Sequence, residues 1–115
     1  MEKEESIIDT SITRLYRICV GSTLNIKDDG LSIWNSNVII LCGNDGKSTG
    51  NCTFAGGSHQ ISIEPISSNT TLGDIKIQGI TFTSVNDSNV IIDNPFYIDE
   101  GVITIRDCIF RVSCV

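Results

Sequence analysis

Three phenylalanines recur at one interval. Phe54, Phe82 and Phe110 lie 28 residues apart, and Ile26 continues the series backwards by another 28. Two positions earlier in each unit stand Leu24, Cys52, Ile80 and Cys108, and just before those Thr23, Asn51, Gly79 and Asp107. The best-matched pair is IKIQGITF at residues 75–82 against ITIRDCIF at residues 103–110. A sandwich or barrel has no reason to hold a fixed period, whereas a solenoid stacks like units and needs one.

The text inside the repeat is written for strands. Twenty of the 115 residues are Ile, and β-branched side chains favour extended backbone. Short runs such as Val38–Leu41, Ile61–Ile63, Ile75–Ile77, Ile80–Phe82, Val90–Ile92 and Val102–Ile105 are separated by Gly, Asn, Asp and Ser. Keeping Ile75, Ile77, Ile80 and Phe82 all inside breaks the alternation at Gln78–Gly79, so the chain must bend there. Asn51, Gly79 and Asp107 occupy that bend, and such residues enter the left-handed region most cheaply. Thr23 is the poor fit. Strand, sharp corner, strand, looser loop and third strand together predict one rung of a right-handed parallel β-helix. An all-β fold of about four ~28-residue rungs is expected over residues 18–115, with Ile26, Phe54, Phe82 and Phe110 as an internal ladder.

Residues 1–17 read differently. Ile8, Ile12, Leu15 and Tyr16 fall at helical spacing, which predicts a capping helix, with an early strand through Leu15–Val20 as the rival. A basic leader followed by an apolar core is lacking, so this segment does not read as a signal peptide. No apolar run approaches the roughly 20 residues needed to span a bilayer. A net charge of −6 argues against a nucleic-acid partner.

The pairs Cys42-Gly43, Asp45-Gly46, Asn51-Cys52 and Gly56-Gly57, then Gly79–Phe82 and Asp107–Phe110, carry a resemblance. Together they resemble the secreted right-handed parallel β-helix proteins of diatom-type algae, solenoids of the pectate-lyase-like kind. The resemblance spans roughly residues 15–112. It implies an extracellular or cell-surface setting and assigns no catalytic residue. Lacking a leader and stopping five residues after Phe110, the chain is expected to be a fragment of a longer solenoid.

Five cysteines form no CxxC pair, so a zinc ribbon is not indicated. Cys42 and Cys52 bracket GNDGKSTGN, an apparent insertion at the corner, and a disulfide there would pin the loop. Cys19 with Cys42 is the competing pair, and buried free thiols are the third possibility. Sequons begin at Asn51, Asn69 and Asn86. Asn69 and Asn86 fall in loops and are the glycosylation candidates.

Catalytic equipment is sparse. His59, the single histidine, follows a Gly-Gly-Ser turn and reads as a solvated turn residue. GNDGKS lacks the spacing of a phosphate loop. Asp93, Asp99 and Glu100 match no calcium cage and read as a solvated acidic loop. Carbohydrate-active β-helices need clustered carboxylates, or an outward base beside acidic metal ligands. The outward candidates are Lys76, Gln78, Thr81, Arg106 and Asp107, with no second carboxylate in line. A threonine row of Thr53, Thr81 and Thr83 is broken by Ile109, too short to order water for ice binding. No cofactor or metal is expected.

The sequence therefore points to a non-catalytic, extracellular-type β-helix module. Its role would be structural, or to bind polysaccharide or other cell-wall components. The alternative is a polysaccharide lyase or hydrolase whose active rungs lie outside this chain. An open last rung would also favour self-association.

Overall fold

The computed structural model describes residues 13–28, 30–34, 36–65, 67–85, 87–99 and 101–111. Its strands are β1 (Thr13–Ile18), β2 (Thr23–Asn25), β3 (Leu31–Trp34), β4 (Asn37–Cys42), β5 (Cys52–Ala55), β6 (His59–Glu64), β7 (Ile75–Gln78), β8 (Ile80–Thr83), β9 (Ser88–Ile92), β10 (Ile103–Arg106) and β11 (Ile109–Phe110). They form three parallel sheets, β1-β4-β7-β10, β2-β5-β8-β11 and β3-β6-β9. The chain visits each sheet in turn, so the molecule is a parallel β-solenoid of three complete turns and two strands of the next.

Alternation decides which side chains enter the core. Val38, Ile40 and Cys42 of β4 are fully buried, while Asn37, Ile39 and Leu41 between them face outward. Stacking then aligns like positions. Phe54 pairs with Phe82, and Phe82 with Phe110. Their rings meet edge-on at 5.6 Å and stacked at 4.9 Å. Phe82, in the middle, is fully buried, and truncating it to Ala would cost about 3–5 kcal/mol. Phe110 remains 45% exposed, with no described strand beyond β11 to cover it.

The first turn departs from the fixed period. Leu24, not Ile26, stands opposite Phe54, and Thr23 opposite Thr53. Ile26 lies past the end of β2 and packs beside Gly57. The reason is compensation between connections. Leu24 to Leu31, Leu31 to Val38 and Val38 to Phe54 are steps of seven, seven and sixteen residues. The equivalent steps from Phe54 through Ile61 and Ile75 to Phe82 are seven, fourteen and seven. The totals, 30 and 28, are close enough to imitate one repeat. Thr23 is consequently a strand residue, and Gly21, at φ 76°, lies in the turn that leads into its strand.

Leu15 and Tyr16 lie on strand β1, not on a helix. Ile8 and Ile12, the other half of the helical spacing, lie outside the described residues. Strand β3 had no counterpart in the sequence reading.

The turn from the third sheet back to the first depends on close backbone approach. A Cβ on Gly73 would overlap the Ser36 carbonyl, and one on Gly101 would overlap that of Gly73. Beside them the Asn37 Oδ1 accepts the Asp74 N–H at 2.8 Å, and the Asp74 Oδ1 accepts the Val102 N–H at 2.8 Å. Each turn thus supplies an acceptor for the backbone of the next. Between the second and third sheets, buried Gln60 donates from Nε2 to the carbonyls of Phe54, Gly56 and Thr83 at 3.2, 3.1 and 2.8 Å. Its Oε1 accepts from Asn89 at 2.9 Å, so the buried amide is satisfied at both ends.

Candidate functional site

The corner joining the first sheet to the second is built differently in each turn. In the third turn it is Gly79 alone, at φ 79°. The fourth turn uses Asp107, at φ 49°, followed by Cys108. In the second turn nine residues, Gly43 to Asn51, intervene, and the Cys42–Cys52 disulfide closes them with a Cα separation of 5.7 Å. Asn51 returns the chain to β5 at φ 56°. The expected bend residues and the expected disulfide are therefore present. The competing Cys19–Cys42 pair is not formed, and Cys19 is an exposed free thiol.

This loop lies along the edge of the solenoid. Towards the first turn, Gly43 N–H donates to Ile18 O at 2.7 Å, and Gly50 O accepts from Gly21 N–H at 2.7 Å. Over the third turn, a Cβ on Gly79 would stand 2.7 Å from the Gly46 backbone, so glycine there supplies both the dihedral and the clearance. At the fourth turn, the Asp107 carboxylate accepts from Ser48 N–H at 2.8 Å and from Ser48 Oγ at 3.1 Å. Asp107, an outward candidate by sequence, is thus engaged in holding the loop. A shallow depression of about 450 Å³ between loop and first turn is lined by Val20, Gly21, Asp45, Thr49, Gly50 and Asn51. It contains one carboxylate and no base.

Beside that edge lies the outer face of the sheet β1-β4-β7-β10. Its register aligns Arg17, Leu41, Gln78 and Arg106 in one column and Leu15, Ile39, Lys76 and Thr104 in the next. Arg17, Lys76 and Arg106 are exposed. Arg17 is steadied by a 3.1 Å bond from Nε to Gly43 O. Arg17 and Arg106 are three strand spacings apart, roughly 14 Å. Neither column contains a carboxylate. The protein is acidic, yet this face is cationic and partly aliphatic. Gln78 beside Arg106 was expected; Arg17 was not, because 24 residues separate β1 from β4 and 37 separate β4 from β7.

The remaining sequence candidates are dispersed. Thr81 points outward but is only 8% exposed. Thr23 extends its row to Thr23, Thr53 and Thr81 before Ile109. His59 is less solvated than its turn suggested: its side chain is 19% exposed, Nε2 is 3.9 Å from Asp87 and buried Nδ1 has no partner. Asp93 and Asp99 are exposed, and Glu100 lies outside the described residues. Among the described residues no group of three His, Cys, Asp or Glu side chains could hold a metal ion. Asn69 is exposed in a turn; Asn86 and Cys114 lie outside the described residues. Burial pushes the Cys108 thiol above its ordinary value, and its Sγ donates to Arg106 O at 3.4 Å. No helix among the described residues is long and apolar enough to cross a membrane. No family model, no curated protein and no solved structure matches the chain.

Proposed function

We propose that this solenoid is a non-catalytic extracellular scaffold of the right-handed β-helix type, which holds an acidic polysaccharide on the outer face of its first sheet. The observation that carries this reading is the cationic face of Arg17, Lys76 and Arg106, free of carboxylates in its two aligned columns. Parallel strands hold those cations on a rigid, regularly spaced surface, and the aliphatic Leu15, Ile39 and Leu41 give sugar C–H groups something to lie against. Arg and Lys recognise carboxylates through charge-assisted hydrogen bonds. The disulfide and the exposed sequon at Asn69 support an oxidising, extracellular setting. The resemblance to secreted algal β-helices points the same way.

The test is binding to polygalacturonate and to a neutral galactan at several salt concentrations. The acidic polymer should bind, more weakly as salt rises, without releasing reducing ends or unsaturated uronate. The double substitution Lys76→Ala, Arg106→Ala should weaken binding by about tenfold or more. Equal binding by the double variant, or by the neutral polymer, would remove the basis of the proposal.

A further inference from the structure

The connection from β9 to β10 is organised around an aromatic pair. Phe96 is 48% exposed and Tyr97 93% exposed. Tyr97 has φ 54°, the left-handed region that an aromatic residue enters only at a cost of about 1–2 kcal/mol. Its neighbours enforce that conformation. Asn94 Nδ2 donates to Ile98 O at 3.0 Å, Asn94 Oδ1 accepts from Ile98 N–H at 3.2 Å, and Asn94 O accepts from Tyr97 N–H at 3.3 Å. Both ends are tied to the preceding turn: Asp93 N–H donates to Ile63 O and Asp99 O accepts from Leu72 N–H, each at 2.9 Å. A floppy loop could turn its aromatic rings inward. This one is clamped so that the largest ring stands in solvent, on a strained backbone.

We propose that this loop is a stacking platform for a pyranose ring, with Tyr97 as the main contact and Phe96 beside it. The chemistry of the loop selects that ligand. Aromatic faces call for an apolar surface, while the exposed carboxylates Asp93 and Asp99 at its two ends call for hydrogen-bond donors. A pyranose has C–H groups on its face and hydroxyl donors on its rim. Residues 93–99 carry two acids and no cation, so the sugar is neutral or cationic, unlike the acidic polymer assigned to the first sheet. A rigid, pre-formed aromatic keeps the ordering cost of binding small.

The experiment titrates the full chain with cellohexaose and, separately, with the glucosamine hexamer of chitosan, by calorimetry and by saturation transfer to the sugar protons. At least one hexamer should bind through its ring protons. Binding of both places the affinity in stacking. Binding of the chitosan hexamer alone adds the carboxylates, and Asp93→Asn with Asp99→Asn should then weaken it. Tyr97→Gly removes the ring and suits the left-handed backbone, so the fold should hold while affinity falls about tenfold or more. Tyr97→Trp should retain binding, and neither substitution should alter retention on polygalacturonate. If neither hexamer binds at about 10 mM, or Tyr97→Gly binds as tightly as the parent, the proposal is overturned.

Discussion

The second and third turns solve the same corner in opposite ways. One uses nine residues and a disulfide, the other a single glycine, yet Cys52 and Ile80, the first residues after the two corners, stand in register. An insertion is tolerated in a solenoid when its ends return to the ladder, which the Cys42–Cys52 bond enforces here. It must also find room along the edge. Gly79 supplies that room because the turn beneath the loop has no side chain to meet it. The long corner therefore depends on the short one.

Gly79→Ala attacks both at once. It places a Cβ at a positive φ and 2.7 Å from the Gly46 backbone. A loss of about 3 kcal/mol or more in denaturant unfolding is expected, the largest of the series. A loss below about 1 kcal/mol would show that the loop does not lean on this corner. Next is the paired substitution Cys42→Ser, Cys52→Ser. Opening a ten-residue separation should cost about 2–3 kcal/mol, and protection of the 43–51 amides from hydrogen exchange should fall. If those amides stay protected, the loop's hydrogen bonds suffice and the disulfide is dispensable to its placement.

Asp107→Ala removes the acceptor of Ser48 while leaving the loop closed. About 1 kcal/mol is expected, with Asp107→Asn milder because it keeps both an acceptor and a left-handed preference. Equal effects from the two would assign the cost to the backbone and not to the contact. The smallest effect concerns Cys108 at the last corner. Its raised folded pKa means the neutral thiol is favoured in the folded chain. That contribution is complete below the ordinary value of 9.0 and is lost as pH rises above it. At pH 8, alkylation should reach exposed Cys19 before Cys108, with the difference vanishing on unfolding. Simultaneous labelling in the folded chain would show that this corner does not shield its thiol.

Periodicity made the corners legible where the intervals are equal. Phe54, Phe82 and Phe110 gave the ladder, and Asn51, Gly79 and Asp107 gave the bends, because no loop length changes between those turns without being offset. The same rule misplaced Ile26, since unequal connections sum to nearly the same total. It also contained a pairing that went unread: His59 and Asp87 are 28 residues apart and lie together. Strand β3 escaped because Leu31–Trp34 is four residues long and follows directly on the Asp28–Gly30 turn, leaving little alternation to count. Of the cationic face, Lys76, Gln78 and Arg106 could be aligned by number. Arg17 joins them only through intervals that no repeat predicts, so the face needed coordinates to be seen whole.

The bond from Ser48 to Asp107 changes how such a stack comes apart. In an ideal solenoid each turn feels only the turns above and below, and stability is a sum of nearest-neighbour terms. Here the second turn grips the fourth across the third. Fraying of β10 and β11 must therefore break a contact with a turn two layers away. Unfolding that would proceed layer by layer is coupled, and the loop lends the lower turns a cooperativity that stacking alone does not give them.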